Sequence, residues 1–327
     1  MSSQGSAVSD VAEPPSGEPW TVLRMMRWTG EYLGEKGVDR GRLDGELLLA
    51  DVLGLSRLDL YLQHDRPLTE EELARFKPLL LRRARREPVQ YILGRAAFRE
   101  LDLLSDRRAL VPRPETEGLV QEVLDWASAR SSSRAVDEGL SALDIGTGTG
   151  CIALSLAREG RFTRIAATDA SDDALELARE NTVMAGLEDV VELLRGDLFE
   201  PVIGRRFDVV VSNPPYVADS EREALAPEVA VWEPECALFA GPDGLDVLRA
   251  LVAGAADHLG PGGLLALETG AGQTGRVAEL VRQTGAFREP RVRADLAGRP
   301  RIVLAESRVT APDDAEEHRG RSPKGVE

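Results

Sequence analysis

Between residues 140 and 284 short apolar runs alternate with amphipathic ones. SALDIG precedes CIALSLARE, RIAATD precedes DDALELARENTVMAG, then come VVELLRG, FDVVVSN and LDVLRALVAGAADHL, and LLALETG precedes RVAELVRQTG. Runs too continuously apolar to be half exposed belong to strands buried on both faces, and neighbouring parallel strands need helical crossovers between them. The pattern predicts an α/β fold built on a mostly parallel sheet with helices on both faces. FREPRVRADL and RPRIVLAE, which follow, are expected to pair as an antiparallel edge hairpin.

The rest of the chain reads differently. From Trp20 to Pro88 apolar positions recur every three or four residues, which predicts a small N-terminal helical domain over 20–88. Thr69 and Glu72 have the spacing of a capping box that opens one of its helices, and Pro78 is expected to kink or divide that helix. Residues 89–111 read as a β-hairpin linking two domains, and 112–306 as the α/β domain, with a surface loop at the Ser-rich stretch 128–139. Residues 1–19 and 307–327 carry no apolar period and read as disordered tails.

Composition removes several function classes. With 40 basic and 56 acidic residues the net charge is −16, which repels a phosphate backbone and argues against stable DNA binding. No stretch is apolar enough to span a membrane and the first twenty residues do not read as a secretory leader, so a cytoplasmic protein without membrane contact is expected. Two cysteines, Cys151 and Cys236, and three scattered histidines offer no zinc site and no disulfide framework, so no metal is expected.

The segment ALDIGTGTGCIALSLA runs an apolar strand into Gly146, Gly148 and Gly150 and then directly into a helix. In open α/β sheets ligands bind beyond the carboxyl ends of strands, where glycines let the backbone approach them, so a nucleotide-like cofactor is implied; the bland alternative is a tight turn without ligand. The NAD fingerprint fits only loosely, because Cys151 stands where its last glycine would fall. Asp169 closes the next strand, placed to accept both ribose hydroxyl protons or else to cap the following helix, although Ser171 is better placed for the cap. Asp197 with Leu198 and Phe199, after the third strand, can serve an adenine amino group and its ring, or form an ordinary turn.

VVVSNPPYV places Asn213, Pro214, Pro215 and Tyr216 at the end of the fourth strand. Two prolines fix φ and remove two donors, leaving a rigid corner of acceptors; a Pro-rich cap on a buried strand is the alternative. The Asn213 side-chain oxygen and the Pro214 carbonyl can accept both protons of an NH₂ on a planar group. That aims the nitrogen lone pair at an electrophile, while the Tyr216 ring lies against the plane.

The ordered set PVQYILG (88–94), VPRPETE (111–117), LDIGTGTG (143–150), NPPY (213–216), EPECALFAGPDGL (233–245) and LETGAGQ (267–273) resembles the PrmC/HemK protein-glutamine methyltransferases over nearly all of 20–306. The resemblance implies a seven-stranded, Rossmann-like class I methyltransferase domain using S-adenosyl-L-methionine and releasing S-adenosyl-L-homocysteine. It implies N5-methylation of the glutamine in the GGQ loop of bacterial class 1 peptide chain release factors by a monomer. It assigns Gly146, Thr147, Gly148, Thr149, Gly150, Asp169, Asp197, Leu198 and Asn213 to the cofactor. The glutamine falls to Asn213, Pro214, Pro215 and Tyr216, with Asn213, Pro214 and Tyr216 catalytic. Arg113, Glu115 and Glu117 open a helix and brace the pocket wall, or else serve the helix dipole. Arg75, Lys77, Arg82, Arg83, Arg85 and Arg86 form a basic stretch, either a solvated face or a docking site for the release factor or nearby RNA. An adenine-N6 DNA methyltransferase, which shares NPPY, and a non-catalytic cofactor-binding module are the rival readings.

Overall fold

The computed structural model describes residues 19–131, 139–295 and 297–309, and divides into two compact units. Of the described residues, the first contains 19–94 together with Pro227–Trp232. Its helices are α1 (Val22–Glu35), α2 (Gly41–Leu53), α3 (Arg57–Leu62), α4 (Glu70–Ala84) and α5 (Val89–Leu93). Side-chain caps start three of them: Thr21 opens α1, and reciprocal Ser56–Asp59 and Thr69–Glu72 boxes open α3 and α4. α4 runs unbroken through Pro78 rather than dividing there. Met25, Leu33, Leu48, Leu60, Phe76 and Leu80 fill the core, each less than 2% exposed, and burial of each side chain contributes about 1.5–3 kcal/mol.

The expected hairpin is shorter than its sequence suggested. Val89–Leu93 is helical, started by Pro88 and stopped by Gly94 in the left-handed conformation, with Val89 and Ile92 buried in the helical core. Their three-residue spacing supplies an inward helical face that the aromatic and β-branched content had masked. Only β1 (Arg95–Phe98) and β2 (Leu101–Leu104) form the antiparallel hairpin, and both belong to the second unit.

That unit continues with α6 (Pro114–Ser131), β3 (Leu140–Ile145), α7 (Cys151–Glu159), β4 (Phe162–Asp169), α8 (Asp172–Ala185), β5 (Val191–Arg195) and β6 (Phe207–Ser212). The chain then lends the short α9 (Pro227–Ala230) to the first unit. It returns as α10 (Asp246–Ala255), β7 (Leu259–Glu268), α11 (Thr274–Thr284), β8 (Arg291–Ala294) and β9 (Pro300–Glu306). The seven-stranded sheet has the order β5-β4-β3-β6-β7-β9-β8, with β5 to β7 parallel and the last two strands antiparallel, as the alternation predicted.

Side chains alternate between two cores. Ala142, Val209, Val211, Leu264 and Leu304 meet α6, α7 and the hairpin; Leu143, Val210, Leu265 and Val303 meet α10 and α11. Strand order reverses between β3 and β6, which opens a crevice at their carboxyl ends.

The loop expected over 128–139 is helix as far as Ser131, and 132–138 lie outside the described residues. The disordered-tail readings for 1–18 and 310–327 also lie outside them. Residues 307–309 are bonded rather than loose: Ser307 donates its N–H to Gly263 and Arg308 donates to Ala286. Among the described residues no helix is long and apolar enough to cross a membrane.

Candidate active site

The crevice holds a cavity of about 480 Å³ lined entirely by the second unit, within the range of small-molecule sites. Four strand ends meet there. After β3 come Gly146, Thr147, Gly148 and Thr149; Asp169 ends β4 and Ser171 follows it; after β5 come Asp197 and Leu198; after β6, Asn213, Pro214 and Pro215. Arg113 and Thr116, at the start of α6, complete that side of the wall.

Buried bonds shape the glycine turn. Gly146 and Gly148 have φ of 71° and 56°, a region a side chain enters only at a cost of order 1–2 kcal/mol. Gly146 and Thr147 donate their N–H groups to the Thr168 carbonyl at 2.8 and 3.0 Å. Asp144, fully buried beneath, accepts from the Thr147 hydroxyl at 2.7 Å and the Ala153 N–H at 3.2 Å through Oδ2. Burial pushes its carboxyl up to about 7, against those two hydrogen bonds.

Asp169 does not cap α8. Ser171 does, its hydroxyl accepting from the Ala174 N–H. Each Asp169 oxygen instead takes one backbone proton, Oδ2 from Gly148 and Oδ1 from Ser171, both at 2.9 Å. A carboxylate oxygen has two lone pairs, so both keep one for a diol at the cavity edge.

Leu198 reaches the wall with a left-handed backbone, φ 46°, whereas Phe199 leaves it and stacks on His258 with centroids 4.4 Å apart. The adjacent aromatic therefore does not substitute for Leu198 in the cavity. Cys151 and Cys236 both touch the cavity. Desolvation, with the Asp144 carboxylate adding to it, pushes the Cys151 thiol up to about 12, so it stays protonated and weakly nucleophilic.

At the corner after β6, Asn213 donates from Nδ2 to the Thr116 hydroxyl at 2.9 Å, and that hydroxyl donates to Glu268 Oε2 at 2.7 Å. Among the described residues nothing donates to Asn213 Oδ1, which leaves an acceptor on a side chain of the cavity wall. Tyr216 and Gly150 are not on that wall. The Tyr216 ring packs against the core shared with α10 and α11, and Gln273 donates to its carbonyl at 2.9 Å. Burial, helped by Glu268, raises the Tyr216 phenol.

Of the PRPETE residues, Arg113 pairs with the buried Glu233, while Glu117 accepts the Arg99 N–H in the turn of the β1–β2 hairpin. Thr116 escaped the sequence reading, although it follows the cavity-lining Arg113 by the three positions that share a helix face. Glu268 and Glu233 lay inside motifs without a residue-level signal.

The basic stretch of α4 is largely consumed within the first unit. Arg82 pairs with Glu87, Arg83 with Asp44 and Glu228, and Arg86 with Glu228. Arg75 donates to the Val52 carbonyl, and Arg85 is exposed.

A family model described as the PrmC N-terminal domain matches residues 24–94, and one described as the methyltransferase small domain matches 127–232. A release factor glutamine methyltransferase of Geobacter sulfurreducens is 43% identical over 268 residues, covering 82% of this chain and 90% of its own length. The protein of that description from Rhodopirellula baltica is 38% identical over 294 residues, covering 90% of this chain and 98% of its own. That from Cereibacter sphaeroides is 43% identical over 273 residues, with 84% and 94% covered. Identity at this level, sustained over nearly the whole of those proteins, places the chain in their family: it belongs to the release factor glutamine methyltransferases.

Proposed function

We propose that the protein methylates the side-chain nitrogen of the glutamine in the GGQ loop of peptide chain release factors, with S-adenosyl-L-methionine as donor. The observation that carries this reading is the unengaged Asn213 Oδ1 on the wall of the cavity that the glycine turn also lines. The donor fits what these residues offer: left-handed glycines for close backbone approach, Asp169 for a ribose, and Asp197 with Leu198 for an adenine. When bound, it supplies a methyl group already activated by a neighbouring positive charge.

A carboxamide nitrogen is a poor nucleophile because its lone pair is delocalised, and it carries two donors. Asn213 Oδ1 and the Pro214 carbonyl accept both, holding the nitrogen with its remaining face toward the glycine turn. With the donor bound, the new N–C bond would form as the methyl–sulfur bond breaks, its electron pair leaving the sulfur as a neutral thioether, and the nitrogen would give up one proton to solvent. No strong base is required before transfer, so catalysis rests on positioning, which can supply roughly 7–11 kcal/mol where a single neutral hydrogen bond gives about 1. Tyr216, with its ring off the wall, serves by anchoring the corner.

The DNA reading finds little support. A duplex-tracking surface needs unspent cations, and Arg82 and Arg83 of α4, with Arg86 just beyond it, are committed to carboxylates on a chain of net charge −16. The test incubates the protein and labelled donor with a release factor, with its GGQ-to-GGA variant, or with duplex DNA. Label in the first alone is expected; label in the GGA variant or in DNA overturns the assignment.

A further inference from the structure

The Asn213 side chain is useful only in one of its two orientations. With its oxygen toward the cavity it accepts from a carboxamide; flipped, it presents an NH₂ that meets the substrate donor to donor. Nothing in an isolated asparagine prefers one over the other, so the choice belongs to its partners.

The partner on the far side is the Thr116 hydroxyl, which has one proton and two lone pairs. While that proton is given to Glu268 Oε2, the oxygen facing Asn213 can only accept, and Asn213 must turn its NH₂ inward and its oxygen to the cavity. Glu268 is fully buried, and its other oxygen, Oε1, has no partner among the described residues. A proton added to Glu268 would be stranded on Oε1 but bonded on Oε2, so it enters the bond to Thr116. Thr116 is then free to donate to Asn213, and the amide reverses.

We propose that Glu268 is a positioning residue which, through the Thr116 hydroxyl, decides which end of the Asn213 carboxamide faces the cavity, and that its ionised form sets the productive end. The proposal rests on the glutamine-methylating reading for its consequence in turnover, but not for its geometry. The groups around the carboxyl come from every side. Thr116 and the Glu115 carboxylate lie on α6 and Arg113 just before it. Arg301 lies on β9, Tyr216 after β6 and Cys151 at the start of α7. Burial dominates, opposed by the Thr116 hydrogen bond and then Arg301, and it pushes Glu268 up to about 7. The switch therefore falls in the neutral range.

The chain has only two asparagines, Asn181 and Asn213, which makes the orientation directly readable. Asn181 is buried and bonded to backbone groups of Leu104 and Thr149, so it serves as an internal control. In full-length protein labelled with ¹⁵N at asparagine, the Asn213 side-chain resonances should shift from about pH 6 to about pH 8 while those of Asn181 hold still; in Glu268→Gln both should be flat. Turnover on a release factor should rise over the same interval in the parent. Glu268→Gln should match the parent at the acid end and fall roughly tenfold below it at the alkaline end. Thr116→Val should be slowed to a similar degree at the alkaline end, with donor affinity kept, and Thr116→Ser should recover the rate. A parent Asn213 signal that does not move, a titration that persists in Glu268→Gln, or equal rates in the Thr116 variants would overturn the relay. A moving signal in a protein that leaves release factors unmethylated would instead overturn the substrate assignment and leave the relay standing.

Discussion

Glu268 and Asp144 are carboxyls held where water cannot reach them, each with one oxygen lacking a partner among the described residues. Such groups cost stability once ionised. For Glu268 the folded value of about 7 lies above its ordinary 4.5, so between those values the native state holds a proton that the unfolded chain has released. The stability it contributes is full below about 4.5, declines as pH rises and is lost above about 7. Glu268→Gln should therefore be more stable than the parent at pH near 8, by an amount on the order of 3 kcal/mol at most, with the gap closing toward acid. Urea unfolding at several pH values measures this, and a variant no more stable at the alkaline end would contradict it. A residue that costs stability while present, and whose replacement is expected to slow turnover, is one kept for function. At this scale the sequence was legible where the signal is local: NPPY and the glycine turn mark residues that the structure brings to one cavity, Gly150 and Tyr216 excepted. Thr116 and Glu268 were not, because their bonds join residues 97 and 152 positions apart. No local spacing encodes such partners.

Among the elements, the loop from β6 to α10 is the one whose precision matters most to the corner. Val217 donates to the Leu238 carbonyl and accepts from Ala240, while Gln273 ties the Tyr216 carbonyl to that of Gly244. Gly244 has φ 70°, and a Cβ there would lie 2.3 Å from the Tyr216 carbonyl oxygen. Gly244→Ala should consequently cost about 2 kcal/mol or more and reduce turnover, because relief of the clash moves the backbone that carries Asn213. Gly272→Ala, with open space around the new methyl, is the control. Thermal unfolding and initial rates read both, and a Gly244→Ala protein as stable and active as the control would contradict the account. Strand and helix alternation made the sheet legible. Val89–Leu93 was misread because five residues between Pro88 and Gly94 are too few for periodicity to separate helix from strand, and packing into the helical core decided it.

In the molecule as a whole the chain's excursion at Pro227–Trp232 joins the helical unit through charge. Glu228 accepts from Arg83 at 2.9 Å and from Arg86 at 2.6 and 2.7 Å, and Arg83 is only 6% exposed. Glu228→Ala leaves a buried guanidinium with Asp44 as its one remaining carboxylate, and should weaken the helical unit by about 2–3 kcal/mol. Faster hydrogen exchange in α4 and in 227–232 would show it, and unchanged exchange would contradict it. Part of the basic stretch looked like a surface in the sequence because Glu228, the carboxylate that Arg83 and Arg86 share, lies some 142 positions beyond Arg86. The proposed function comes down to one arrangement in the second unit, a carboxamide held by Asn213 and Pro214 beside the glycine-turn cavity. The direct test measures single-turnover methyl transfer to a release factor and donor affinity side by side for full-length parent and Asn213→Ala. Turnover should fall by roughly a hundredfold or more while affinity stays within a few-fold. Equal turnover in the two proteins, or a loss of affinity that accounts for the whole effect, would contradict the claim that Asn213 positions the acceptor.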